Sequence, residues 1–244
     1  MKIIRHAKPY HIDDVLAVSL LLKKYPEAEV VEAKNNEEAL TIRDEGDVLV
    51  DVGGIYGRKM YDHHQDKTLP ASFVLVLQSE YGYDIDELPE TLQYYSLLDT
   101  QGFVQAAKFI GGRQVRPLLD SWITSINLPK EMMLSLADYI LHMCEVVKRT
   151  REIIADSIIS NNKIISVKQA VDITTLGELL PRMKVVVHPN RDPELMSITR
   201  ITRFSEEGTL PLELKSISKY FTGFSCGVPR EKVEDAIDIL IEKL

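Results

Sequence analysis

The chain has 244 residues, 45% apolar and 27% charged, with a formal net charge of −8. That length buries a substantial core and suits two small domains better than one large one, and no run of 18 or more apolar residues could cross a membrane. The acidic balance argues against a protein that coats long nucleic acid, and two cysteines, Cys144 and Cys226, speak for ordinary reduced thiols rather than a disulfide or a zinc–thiolate centre.

Met1 to Ile4 runs directly into Arg5, His6 and Lys8 without the apolar stretch of a secretory signal, so the expected location is cytoplasmic. The first sixty residues alternate as a parallel α/β unit does. Lys2 to Ile4 reads as a strand, Asp14 to Tyr25 as an amphipathic helix, Glu29 to Ala33 and Val48 to Val52 as further strands, with loops at Pro26 and at Asn35-Asn36. Pro70 to Tyr81 and Pro89 to Leu98 follow as helices with proline near the first turn, and Asp99 ends the second. Lys130 to Asn161 has the spacing of one or two long helices, its Met133, Leu136, Ile140, Met143, Val147 and Ile154 stripe marking core, with His142 in that stripe. From Lys163 the texture turns to strands at Ile164 to Val167, Lys184 to His188 and Ser197 to Phe204. A glycine-bearing turn from Thr222 to Val228 and a closing helix from Arg230 to Leu244, begun by Pro229, complete the chain. The expected fold is α/β, with a parallel-sheet domain over residues 1–128, a helical connector over 129–162 and a smaller mixed α+β domain over 163–244 across a cleft.

In open sheets of this kind ligands bind beyond the carboxyl ends of the strands. Four segments rich in metal ligands fall there: His6 to Asp13 after the first strand, Asp51 closing the third apolar run, Asp62-His63-His64 after the next extended piece, and Asp99. One histidine pair alone is commonly a surface feature, but these clusters hold four of the six histidines of the chain. His6, His11, Asp13, Asp51, His63 and Asp99, with Asp62 and His64 adjacent, are too many donors for one tetrahedral zinc and fit two ions sharing a carboxylate. Nitrogen and oxygen donors without sulfur suit Mn²⁺, with Mg²⁺, Co²⁺ or Zn²⁺ as substitutes. Two such ions about 3.5–4 Å apart serve phosphoryl transfer, so the expected reaction is hydrolysis of a phosphoester or phosphoanhydride.

The Asp62-His63-His64 block, preceded by His6-x4-His11-x-Asp13 and Asp51 and followed by Asp99, resembles the DHH phosphoesterase superfamily. Within it, the spacing of the early histidines, Val50 to Tyr56, Tyr61 to Gln65 and the late Gly223-Phe224 turn are most similar to the melanocyte-proliferating-gene family. That resemblance implies a DHH domain joined to a smaller mixed-sheet domain, and a 3′-to-5′ exonuclease acting on RNA or short oligonucleotides. It places His6, His11, Asp13, Asp51, His63 and Asp99 on metals with Asp51 bridging, His64 against the phosphate, and Asp62 either orienting its neighbours or touching the metal pair. The chain departs from the family pattern at Ala7-Lys8, where Asn-Gly is usual, at Asp99-Thr100, where Asp-Asn is usual, and at Gly223 to Gly227, which is less glycine-rich. Lys8 adds a positive charge beside the phosphate site, and Gly223 and Gly227 retain places where backbone N–H groups could approach a phosphate.

His188, beside Pro189 and near Arg191, is a further candidate for substrate contact, and Asp14 reads as a helix cap rather than a ligand. Residues 181–203 carry Arg182, Lys184, Arg191, Arg200 and Arg203 against Asp192 and Glu194, five positive minus two negative or +3, which reads either as a track for a phosphate backbone or as solvated strand edges. A hydrolase of small phosphates such as pyrophosphate, a nucleotide or a cyclic dinucleotide stands as the alternative substrate reading, and a non-catalytic nucleotide or metal sensor as the alternative class. Whether the chain forms a homodimer stays open.

Overall fold

The computed structural model describes residues 1–111, 128–201 and 209–244, and the chain divides into two compact units, Met1–Cys144 and Glu145–Leu244. In the first unit β1 (Lys2–His6), β2 (Glu29–Ala33), β3 (Val48–Val50), β4 (Tyr56–Gly57) and β5 (Met60–Tyr61) form a sheet in the order β2-β1-β3-β5-β4. The pairings among β2, β1, β3 and β5 are parallel, and only β4 runs antiparallel, against β5. The two-residue period of the strands decides which side chains meet which helix. Ile3, Val48, Val50 and Tyr61 pack with α1 (Ile12–Lys24) and α3 (Ser72–Val76), while Ile4, Leu49 and Met60 share the opposite cluster with Ala39 of α2 (Asn36–Ile42). The result is three layers.

Helix α1 is held by composition at both ends, with Asp13 and Asp14 in its first turn and Lys23 and Lys24 in its last, each opposing the helix dipole. Its interior from Val15 to Leu22 is buried throughout. Helix α2 was not legible as a helix, because Asn35-Asn36 reads as a break. Asn35 instead accepts a hydrogen bond from Glu38 N at 2.9 Å and caps the helix, the local use for which asparagine is suited. The helix expected from Pro70 opens at Ser72, after an extended Ala71, and passes into a π-helical turn over Leu77–Tyr81. Asp99 does not end α4 (Glu90–Gln101) but sits inside it; Gly102, at φ +79°, ends that helix and leads into α5 (Phe103–Ile110).

The long helix α6 (Lys130–Ala155) stops six residues short of Asn161, because Ile158–Ser160 becomes β6, paired antiparallel to β7 (Ile164–Ser166). Its buried positions include Met133, Ala137, Ile140, Cys144, Val147 and Ile153; His142 is exposed and lies off that stripe. In the second unit the sheet order is β10-β11-β9-β8-β7-β6, with β8 (Val185–Pro189), β9 (Leu195–Arg200), β10 (Tyr220–Phe221) and β11 (Ser225–Pro229). Only β7 and β8 run parallel. One face, with Val185, Val187, Ile198, Cys226 and Val228, packs on α8 (Val233–Lys243), and the other brings Ile165, Val186 and Ile201 against Leu176 of α7 (Ile173–Leu179). Among the described residues this unit's sheet has six strands against five in the first. Cys144 and Cys226 are free and buried, and burial pushes their thiols up to about 12 and about 11.

Two expectations for the C-terminal region change. Residues Ser225–Pro229 are strand rather than turn, so Pro229 ends β11, and a 3-10 turn over Arg230–Lys232 precedes α8. Gly227 lies in an interior strand, paired with Tyr220 on one side and Ser197 on the other. A Cβ there would come within 2.2 Å of Tyr220 Cε1, so the missing side chain makes room for the tyrosine ring rather than for a ligand. Gly227→Ala should therefore destabilise the chain by about 1–3 kcal/mol, the usual cost of overpacking. Urea denaturation checks this, and Tyr220→Ala in the same chain should recover part of the loss.

Candidate metal centre

The parallel strands deliver three ligand-bearing segments to one edge of the first sheet. His6 is the last residue of β1, Asp51 directly follows β3, and Asp62 directly follows β5. Strand β3 ends two residues earlier than expected because Asp51 takes φ +55°, in the left-handed region, followed by Gly53 at +106° and Gly54 at +65°. That conformation costs a non-glycine residue roughly 1 kcal/mol, and its surroundings hold it. Asp51 N donates to Tyr61 O at 2.9 Å, Gly53 N to Asn36 Oδ1 at 2.9 Å, and Gly54 N to Asp62 Oδ2 at 2.6 Å.

Asp13 is buried, and both its carboxylate oxygens are held by the start of α3: Ser72 N donates to Oδ2 at 2.9 Å and Phe73 N to Oδ1 at 2.7 Å. Its neighbour Asp14 is not a cap. It pairs with Arg5 in the interior, both side chains about 1% exposed or less, and the Arg5 guanidinium lies 3.5 Å from the centre of the Tyr10 ring. Tyr10 in turn donates its hydroxyl to Glu32. Burial draws the Arg5 pKa down to about 10, which leaves it charged at neutral pH.

Eight of the residues singled out in the sequence come together here. His6, His11 and Asp51 form one donor set, Asp13, His63 and Asp99 a second, and Asp51, Asp62, His63 and His64 a third; within each, one ligand atom per residue lies within 4.8 Å of every other. His6 Nε2 stands 3.3 Å from Asp51 Oδ2, and His63 Nε2 stands 3.1 Å from Asp99 Oδ2. Ligands about 2.0–2.2 Å from one ion in a tetrahedral or octahedral shell are separated by roughly 3.0–3.5 Å, so both pairs have the spacing of neighbours around a cation.

The electrostatics fit a cation as well. Burial, then the charges of Asp51 and Asp99, push the Asp13 carboxyl well above its ordinary range, so this packing of acids is unfavourable without a positive charge among them. His6 Nδ1–H donates to Ala7 O at 2.7 Å, which leaves the lone pair of the buried Nε2 facing Asp51 Oδ2, where an ion could sit. His64 is held differently. Its Nδ1 donates to Asp62 Oδ1 at 2.7 Å and its backbone N to the same oxygen at 3.0 Å, while the ring stacks on His63 with centroids 4.4 Å apart. The hydrogen bond to Asp62 raises the His64 pKa to about 9, and bonds from His64 and Gly54 outweigh burial to lower that of Asp62.

The remaining candidates are dispersed. Lys8 is exposed in the loop between β1 and α1, its Nζ 5.7 Å from the Tyr10 ring centre. In the second unit His188 Nδ1 donates to Pro189 O and Nε2 accepts from Thr199 Oγ1, both at 3.1 Å, and burial lowers its pKa, so the ring is neutral with both nitrogens engaged. Gly223 holds φ +86° in the turn between β10 and β11, and its carbonyl accepts from Leu210 N. Arg203 and Phe204 lie outside the described residues. The other cations do not form one cluster: the register Val185↔Arg200 puts Lys184 and Arg200 at one end of the β8–β9 pair, whereas Arg191 lies beyond the other end, about 16 Å of strand away. Sequence reasoning missed Ser72, Arg5 and Asn36, which carry no ligand signature of their own and act through partners brought from elsewhere in the chain.

Residues 2–79 match the model of the MYG1_exonuc family, described as an uncharacterised protein family (UPF0160). Over 68 residues, 27% of the chain, the sequence is 38% identical to the MYG1 protein C694.04c of Schizosaccharomyces pombe, and the match spans 20% of that protein's length. The family match contains every candidate donor except Asp99. Two solved structures align over 99% of the chain: a pGpG-specific phosphodiesterase, PggH, of Vibrio cholerae, with 12% identity, 97% of that chain covered and a TM-score of 0.34, and an uncharacterised protein of Helicobacter pylori G27, with 9% identity, 99% covered and a TM-score of 0.26.

The Asp62–His64 pair has a pH signature in the metal-free chain. A histidine whose pKa rises from 6.5 to about 9 on folding adds stability that is full below 6.5 and lost as the pH climbs through 9. His64→Gln should therefore lower the thermal midpoint most near pH 6, with the gap to wild type closing by about pH 10. Because His64 is more than half exposed, added salt should narrow the gap. Melting curves across pH in the presence of chelator measure this, and a gap that widens with pH would contradict the pairing.

Proposed function

We propose that the chain is a dinuclear metal-dependent phosphodiesterase of the DHH type, acting as a 3′-to-5′ exonuclease on RNA or short oligonucleotides. The observation that carries the reading is Asp51, whose carboxylate belongs to one donor set with His6 and His11 and to another with His63, a residue that also belongs to the set with Asp13 and Asp99. In this reading His6, His11 and Asp51 hold one ion, and Asp13, Asp51, His63 and Asp99 the other. The donor chemistry suits Mn²⁺ first, then Co²⁺, Mg²⁺ or Zn²⁺. Such a pair of ions supplies Lewis acidity toward a phosphoryl oxygen and activates water near neutral pH.

The chain's own residues supply the rest. His64, whose bond to Asp62 favours the protonated ring, then keeps Nε2–H directed away from that partner and able to donate to a phosphoryl oxygen as charge builds there. Asp62 orients this ring and, through Gly54 N, the turn that carries Asp51. Lys8 sits exposed in the loop between His6 and His11 and can attract a phosphate. A second reading, hydrolysis of small phosphates such as pyrophosphate, a nucleotide or a cyclic dinucleotide, is favoured by the separation of Arg191 from Lys184 and Arg200, which among the described residues leaves these cations at opposite ends of the β8–β9 pair.

Elemental analysis should find about two transition-metal ions per wild-type chain and fewer in His63→Ala and Asp51→Ala. His64→Ala should retain its metal and lose roughly 10²–10³-fold in kcat, as when a donor to a developing oxyanion is removed. A single ion per chain, indifferent to Asp51→Ala, would exclude the shared carboxylate.

Hydrolysis of bis-p-nitrophenyl phosphate, pyrophosphate, a short RNA and a short DNA with Mn²⁺ separates the substrate readings. Rapid trimming of RNA from its 3′ end, weakened by Arg200→Ala with a flatter salt dependence, supports the exonuclease. Turnover confined to the small substrates and indifferent to Arg200 moves the assignment to the second reading.

A further inference from the structure

Ser72 opens α3 with no exposed surface, so its hydroxyl must find its partners inside the protein. Its backbone N–H is spent on Asp13, and its Oγ lies between two other candidate donors, 3.3 Å from Asp51 Oδ1 and 3.2 Å from His63 Nδ1. We propose, on the metal reading above, that Ser72 is a positioning residue that dictates which nitrogen His63 offers to an ion.

A serine hydroxyl has one hydrogen to give and lone pairs to receive with. Donating to the Asp51 carboxylate satisfies a buried charged oxygen, and the hydroxyl then accepts from His63 Nδ1–H. The opposite order, with the serine hydrogen on Nδ1, would turn the Nδ1 lone pair toward Asp13 Oδ2 at 3.6 Å and Asp51 Oδ1 at 3.8 Å while withdrawing a donor from Asp51. The chain Nδ1–H to Oγ and Oγ–H to carboxylate therefore leaves Nε2 bare beside Asp99 Oδ2, 3.1 Å away, where the two atoms face one cation. An outer partner of this kind fixes both the tautomer and the tilt of a metal-binding imidazole. The same turn reaches Asp99 indirectly, since Ala71 N donates to Ser96 Oγ one turn earlier on α4.

The test uses the full chain and two measurements. In wild type loaded with Zn²⁺, which is diamagnetic, ¹⁵N–¹H spectra of ¹⁵N-histidine-labelled protein should show a slowly exchanging His63 Nδ1–H and a metal-bound Nε2. In Ser72→Ala the Nδ1–H should exchange rapidly, and titration with Mn²⁺ should show one ion bound about 10–100-fold more weakly, the usual effect of losing such a partner, with the other ion less affected. A metal-bound His63 Nδ1 in wild type overturns the proposal even if the variant fails to fold. So does a folded Ser72→Ala that binds both ions as wild type does, and that result leaves the two-metal reading intact. A wild-type chain that takes up no ion overturns both.

Discussion

The arrangement rests on one buried carboxylate gripped by a helix start. Taking an ionised aspartate out of water costs several kcal/mol, and Asp13 is tolerated because two backbone amides of α3 meet its two oxygens. That contact sets where α3 begins, and Phe73, fully buried at the same point, anchors it with a side chain whose truncation would cost about 3–5 kcal/mol. With the helix start fixed, Ser72 falls between Asp51 and His63. The amides do not neutralise the whole site, however. Burial and neighbouring acids still hold the Asp13 carboxyl toward its protonated form, and the imbalance is of the sign that a divalent cation removes.

A second brace supports the first loop. The Arg5–Asp14 pair is sealed in the interior, and Arg5 lies against Tyr10, whose hydroxyl bonds to Glu32 on β2. The loop carrying Lys8 and His11 is thus tied to β1, α1 and β2 together. This explains how exposed His11, which caps α1 without a side-chain hydrogen bond, can stand beside His6, the ring centres 5.4 Å apart.

Alternating strands and helices were legible in the first sixty residues because hydrophobic periodicity reports directly on burial, and the donor-rich segments were legible because they fall at strand ends. What escaped was set by backbone geometry or by partners distant in sequence. Asp51 looked like the continuation of a strand, since an apolar run does not reveal a left-handed residue. Asn35-Asn36 looked like a loop, since the same side chain that favours a break also caps a helix. Gly227 looked like a phosphate-approach glycine, since nothing local tells of the Tyr220 ring laid over it. Ser72, an ordinary serine after a proline-led stretch, gains its place only when residues 13, 51 and 63 meet it.

The left-handed backbone at Asp51 also shapes which sequences are reachable from this one. Aspartate, asparagine and glycine tolerate that conformation more readily than longer or branched residues. A lineage drifting away from metal chemistry therefore has an easy exit through asparagine or glycine at position 51, keeping the turn while discarding the charge. Glutamate, which keeps the charge, meets the steeper barrier: it must accept the unfavourable backbone and fit another methylene among His6, His63 and Ser72. At this position chemical similarity and evolutionary accessibility run in opposite directions.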